Sequence, residues 1–115
     1  MAVTQTTGTA STVTTEVDLE SALDAAGVYQ YRIDLSALAG GASPDIYIFR
    51  EYIKVLTADS AQLMEGSPVT YQGGLAPKIF EFPVRLVPAN CSYRVSVEKV
   101  SGTTRSFKWA RITTG

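Results

Sequence analysis

Apolar and polar side chains alternate along most of this chain with a period of two, the spacing of half-buried β-strands. The pattern is sharpest at residues 92–113, which read SYRVSVEKV, SGTT and RSFKWARIT. Tyr93, Val95 and Val97 share one parity there, and Phe107 and Trp109 share another beyond the small polar connection. This predicts an antiparallel hairpin with one buried face. The only tryptophan lies on that face. Large aromatics bring the most burial per residue, so the core is expected to assemble against this hairpin.

Upstream, Tyr29, Tyr31, Ile33 and Leu35 alternate with Gln30, Arg32 and Asp34 in a second clear strand. Residues 46–56 make a longer one, with Ile46 and Ile48 on one parity and Tyr47, Phe49, Ile53 and Val55 on the other. That mixture predicts cover on both faces or a bulge midway. Phe80, Phe82, Val84 and Leu86 form a further face, and Pro83 within it lacks the N–H that a ladder needs, so this strand belongs at an edge or carries a bulge. Leu63-Met64 and Val69-Thr70-Tyr71 are shorter candidates around the turn at residues 66–68.

Val13, Thr15, Val17, Leu19, Ser21 and Leu23 fall on one parity and predict a strand, while Leu19, Ala22, Leu23 and Ala26 also fit a helical face capped by Asp18. The turn chemistry of Asp24-Ala25-Ala26-Gly27 favours the strand. Strands punctuated by turns every ~8–12 residues predict an all-β fold, a single antiparallel β-sandwich of jelly-roll or immunoglobulin-like topology. Residues 1–11 stand ahead of that domain, which covers residues 12–115. Their threonine, glutamine, glycine and alanine, with Val3 the only branched apolar group, bury too little to offset ordering entropy. They are expected as a flexible, extended N-terminal arm, ready to add as a strand where an edge is offered.

Composition narrows the function classes. At 115 residues there is one core's worth of chain, and a formal charge of −1 argues against non-specific nucleic-acid binding. No run reaches the roughly 18 apolar residues of a membrane span, and the N-terminus lacks the basic start and apolar core of a signal peptide, so synthesis in the cytoplasm is expected. The chain contains no histidine, which removes the usual general base, the commonest metal ligand and the pH switch together. Cys91 is the single cysteine, with Asn90 and Ser92 beside it, and reads as an inert thiol. No enzyme, cofactor or metal site is expected.

The charges are unevenly placed. Residues 1–77 hold Arg32, Arg50 and Lys54 against nine carboxylates, whereas residues 78–115 hold seven basic side chains against Glu81 and Glu98. Either the two halves neutralise each other within one fold, or the acidic Glu16, Asp18, Glu20 and Asp24 of one copy face, across a subunit boundary, the basic C-terminal region of the next copy or a basic region of another protein it assembles with. Glu16, Asp18 and Glu20 lack the glycine turn and spacing of a calcium loop and read as a solvated strand face. Among the six tyrosines, Tyr29, Tyr31 and Tyr93 lie on inward parities, leaving Tyr47, Tyr52 and Tyr71 as candidate exposed groups, too few and too scattered to define an aromatic platform.

The segment GVYQYRIDLSAL at residues 27–38, the aromatic strand at residues 46–55 and GTTRSFKW at residues 102–109 resemble a group of small tailed-bacteriophage virion structural proteins, the capsid cement or decoration proteins. The resemblance implies a non-enzymatic protein on the capsid exterior, often a homotrimer, that clamps neighbouring subunits of the major capsid protein. The interface candidates that follow are Val3, Thr4, Thr6 and Thr7 on the arm, Glu16, Asp18 and Glu20 on the acidic strand, and Lys99, Arg105, Lys108 and Arg111 on the basic region. A small glycan-binding or fibre-associated β-sandwich module of a virion is the alternative.

Overall fold

The computed structural model describes residues 3–11, 15–38, 40, 44–54, 60–64, 68–74, 79–103 and 106–114. Among these are ten strands: β1 (Val3–Ser11), β2 (Val17–Asp18), β3 (Gly27–Asp34), β4 (Ile46–Lys54), β5 (Gln62–Leu63), β6 (Val69–Gln72), β7 (Ile79–Glu81), β8 (Arg85–Val87), β9 (Ser92–Ser101) and β10 (Ser106–Thr114). They form two antiparallel sheets. One runs β1-β10-β3, with β7 and β8 sharing the far side of β3; the other runs β2-β9-β4, with β5 and β6 sharing the far side of β4. Taking each shared pair as one position gives the sheet orders 1-8-3-6 and 2-7-4-5. That is the jelly-roll order, which resolves the two topologies the sequence leaves open.

The core lies between the sheets. Tyr29, Tyr31 and Ile33 of β3 and Phe107 and Trp109 of β10 face Tyr47 and Phe49 of β4 and Tyr93, Val95 and Val97 of β9, and all are buried. Phe49 sits at the centre of an aromatic cluster, its ring 5.8 Å from Phe107 and 6.2 Å from Phe82. Tyr31 bridges the sheets, 5.9 Å from Trp109 and 6.1 Å from Tyr93. These are tilted and edge-on contacts, the arrangements that aromatic quadrupoles favour.

The predicted C-terminal hairpin is corrected. Although β9 and β10 are consecutive and both alternate as expected, they pair with different sheets: β9 with β2 and β4, β10 with β1 and β3. The connection crosses the sandwich as an arch, so the two buried faces look at each other rather than lie side by side. Period-two alternation is the same in both arrangements and does not distinguish them. What holds the arch is tertiary. Gly102 takes φ +95, where an added Cβ would stand 2.2 Å from Asp45 Oδ1. The Thr103 N–H donates to that oxygen at 2.8 Å, and the Tyr47 hydroxyl donates to the Thr103 carbonyl at 3.1 Å.

The strand around Pro83 is also corrected. It divides into β7 and β8, and the register against β3 slips by one residue between Arg32↔Glu81 and Tyr29↔Arg85. Phe80 and Phe82 pack inward as expected, but beyond the break the parity inverts. Val87 is buried, whereas Val84 and Leu86 are 58% and 72% exposed. The residue without an N–H has produced a bulge at a sheet edge.

At residues 15–23 the extended alternative holds, in a shorter form: β2 pairs with β9, and Leu19 and Leu23 continue with backbone bonds to Val95 and Tyr93. Val13 lies outside the described residues.

Candidate interaction surface

Residues 3–11, expected as a free arm, find their edge within their own chain. β1 pairs with β10 without a register shift, from Val3↔Thr114 to Ser11↔Ser106. The threonine-rich composition supplies β-propensity but little to bury. Thr4, Gln5, Thr7 and Thr9 are exposed, while Thr6 and Gly8 are half-buried. Among its described side chains none is buried, and the nine-residue ladder attaches this strand. One point of shape fixes its register: Gly8 lies opposite Trp109, and a Cβ there would stand 2.5 Å from the indole Cζ2.

β1 is the outermost strand of its sheet, so its far edge has no neighbour among the described residues. That edge contains no charged residue, no proline and no bulge over its nine residues. Soluble proteins normally blunt a long sheet edge with one of those devices, because unpaired N–H and C=O groups template pairing with another chain. The opposite edge of the same sheet differs in kind: Ile79, Val84 and Leu86 place exposed apolar side chains around the Pro83 bulge.

The other interface candidates separate into distinct places. On the outer face of the second sheet, Glu16 accepts from the Tyr52 hydroxyl at 2.7 Å and from the Ser96 hydroxyl, and lies 3.8 Å from Arg50, which also pairs with Glu98 at 2.7 Å. Burial alone would raise the Glu16 carboxyl. The bonds from Ser96 and Tyr52 and the charges of Arg50 and Arg94 outweigh it and hold the group below its ordinary value. Asp18 pairs with Arg94 at 2.7 Å, and that guanidinium lies 4.0 Å above the Tyr52 ring. Glu20 turns the other way, toward β1: it accepts from Arg111 at 2.7 Å and from the Tyr31 hydroxyl at 2.6 Å, and Arg111 donates to Thr6 Oγ1 at 3.0 Å.

The acidic strand and the basic C-terminal region thus meet within one chain at Asp18–Arg94 and Glu20–Arg111, while Asp24 is exposed. Lys108 is exposed on the outer face of the first sheet, opposite Asp34. Lys99 is half-buried opposite Tyr47, and Arg105 lies outside the described residues. Of the tyrosines expected to be exposed, Tyr47 is fully buried, Tyr52 lies beneath Arg94, and Tyr71 packs on Phe80 at 4.6 Å.

Sequence reasoning missed Glu51. It is 2% exposed in the sandwich interior, gripped at both oxygens by Arg85 at 2.8 and 3.0 Å, and accepts from the Tyr93 hydroxyl at 2.5 Å. Burial, then the hydrogen bond to Glu51, pushes the Tyr93 hydroxyl far above the ordinary tyrosine range. The signal was present, because residue 51 shares the parity of Tyr47, Phe49 and Ile53. This triad bridges the two sheets, from β8 to β4 and β9.

Comparison with protein-family models, with curated protein sequences and with solved structures gives no significant match.

Proposed function

We propose that this chain is a non-enzymatic virion structural protein of the cement or decoration type, binding the outside of a shell of major capsid protein and stabilising it, as a homo-oligomer for which a trimer is favoured. The observation that carries the reading is the uncharged, unbulged nine-residue edge of β1. A free edge of that length recognises extended backbone by strand addition. The resemblance at residues 27–38, 46–55 and 102–109 supplies the shell as the source of that backbone. A shell-stabilising clamp needs a rigid body with a presented edge, and the jelly roll, with its aromatic centre and its Glu51–Arg85 cross-tie, is such a body.

One feature favours the second reading, a glycan-binding module. A groove of about 630 Å³ crosses the outer face of the first sheet, with Thr7, Thr9, Arg32, Asp34 and Lys108 around it and the small Ala110 between them. Two assays run in parallel separate the readings. The purified protein is sedimented with empty capsid shells and applied to a glycan array. Co-sedimentation without sugar retention supports the cement reading. In that case lysines at two exposed edge positions, Gln5→Lys and Thr7→Lys, should weaken shell binding at least tenfold. Sugar retention with no affinity for shells would replace it with the glycan reading.

A further inference from the structure

The inner side of β1 is built unlike the rest of the sandwich. Along β10 the inward positions opposite Thr4, Thr6 and Gly8 are Thr113, Arg111 and Trp109. Each of these three carries a buried polar atom with no hydrogen-bond partner among the described residues: Thr113 Oγ1, Arg111 Nε and Trp109 Nε1. Buried polar groups are ordinarily paired, and an unmet one costs stability. The strand that covers this lane has no buried described side chain of its own. β1 is therefore attached by its ladder and by the Arg111–Thr6 bond, over a lane with unmet hydrogen-bonding capacity.

The seat is nevertheless selective. Only a strand with glycine opposite Trp109 fits, since a Cβ there would come within 2.5 Å of one indole carbon and 2.7 Å of another. The sequence that meets this requirement is β1 itself. It lies at the N-terminal end of the described chain, and residues 12–16 join it to Val17, a span of up to about 17 Å when extended.

We infer that β1 is an exchangeable strand, and that copies of this chain associate by seating β1 of one copy on β10 of a second copy in the register seen within one chain. Exchange of an identical element keeps every native contact and changes only which chain supplies it, a low-cost route to an oligomer. The charge-free composition of residues 3–11 fits this, because no like charges approach when several such strands are brought together. The outer edge of a seated β1 stays open whichever chain supplies it, so exchange leaves the edge proposed for shell binding unoccupied.

The test uses the full chain without shell protein, so its outcome is separate from that of the shell-binding proposal. Thr7 and Ala110 are direct partners across β1 and β10. In a Cys91→Ser background, Thr7→Cys with Ala110→Cys links the two strands wherever β1 is seated. Oxidation of dilute protein should give chains linked to themselves. Oxidation after concentration should give interchain-linked species several-fold above the level of a Thr7→Cys control. Light scattering on the unsubstituted protein should show the same concentration-dependent rise in mass. Crosslinks that stay within the chain at every concentration overturn the inference. So does an oligomer whose crosslinks remain intrachain, or a mass fixed at one chain.

Discussion

Removing Arg85 leaves the carboxylate of Glu51, 2% exposed in the sandwich interior, without the guanidinium that contacts both of its oxygens at 2.8 and 3.0 Å. Loss of one partner from a buried ion pair typically costs about 3–5 kcal/mol, because the remaining charge stays buried without its principal countercharge. That is a large share of the roughly 5–15 kcal/mol that holds a domain of this size together. With a urea slope of about 1.5 kcal/mol/M, the denaturation midpoint of Arg85→Met should fall by about 2–3 M. Trp109 is the only tryptophan and is buried, so its fluorescence reports the transition. The triple variant Glu51→Leu, Arg85→Met, Tyr93→Phe removes the carboxylate, its cation and its hydroxyl donor together. Replacing a buried pair by apolar groups of similar volume is often neutral or stabilising by about 1–4 kcal/mol, so the triple variant should recover most of the loss. A single variant within about 1 kcal/mol of wild type would mean that water reaches Glu51. A triple variant no better than the single one would mean that Arg85 acts through packing of its stem, and the cross-tie argument would fail.

Trp109→Ala should cost about 3–5 kcal/mol as a truncated buried aromatic, read from the same urea curves, and an unchanged midpoint would show the indole to be dispensable. Gly8→Val should destabilise by about 1–3 kcal/mol, the usual range for overpacking, because the new Cβ has to displace the Trp109 ring; a melting temperature equal to wild type would show that β1 is not seated on β10 in solution. Glu16, whose carboxyl is held below its ordinary value of 4.5, contributes stability that is complete above that pH and is lost as the pH falls through the lower folded-state value. Glu16→Gln should flatten this acid limb of the stability curve, and an identical limb in both proteins would assign the loss to other carboxylates.

The sequence made the strands legible where one face is buried without interruption. β3 is the clearest case, with Tyr29, Tyr31 and Ile33 inward, and β4 follows it with a register shift at Ile46/Tyr47. It was less informative where the outcome depends on a partner distant in sequence. β9 and β10 have the alternation of a hairpin, but Asp45 and Tyr47 hold their connection as an arch. Asp18 and Arg94 are 76 residues apart, so no local pattern shows that the acidic strand is neutralised at home. At Pro83 the sequence indicates a bulge or an edge but not the direction in which parity changes, so alternation alone places the exposed Val84 and Leu86 on the inner face. The arm composition of residues 3–11 was legible as strand-prone, and the indole opposite Gly8 that fixes where it docks was not.

Hydrogen–deuterium exchange on the protein alone and bound to capsid shells addresses the role of the β1 edge most directly. In an antiparallel edge strand alternate backbone amides face outward, and in β1 these have no described partner. The cement reading predicts that shell binding slows exchange at those outward amides of residues 3–11, with little change at the central strands β3, β4 and β9. Protection confined to the Ile79–Leu86 edge or the groove around Ala110, with β1 exchanging as in the free protein, would contradict it.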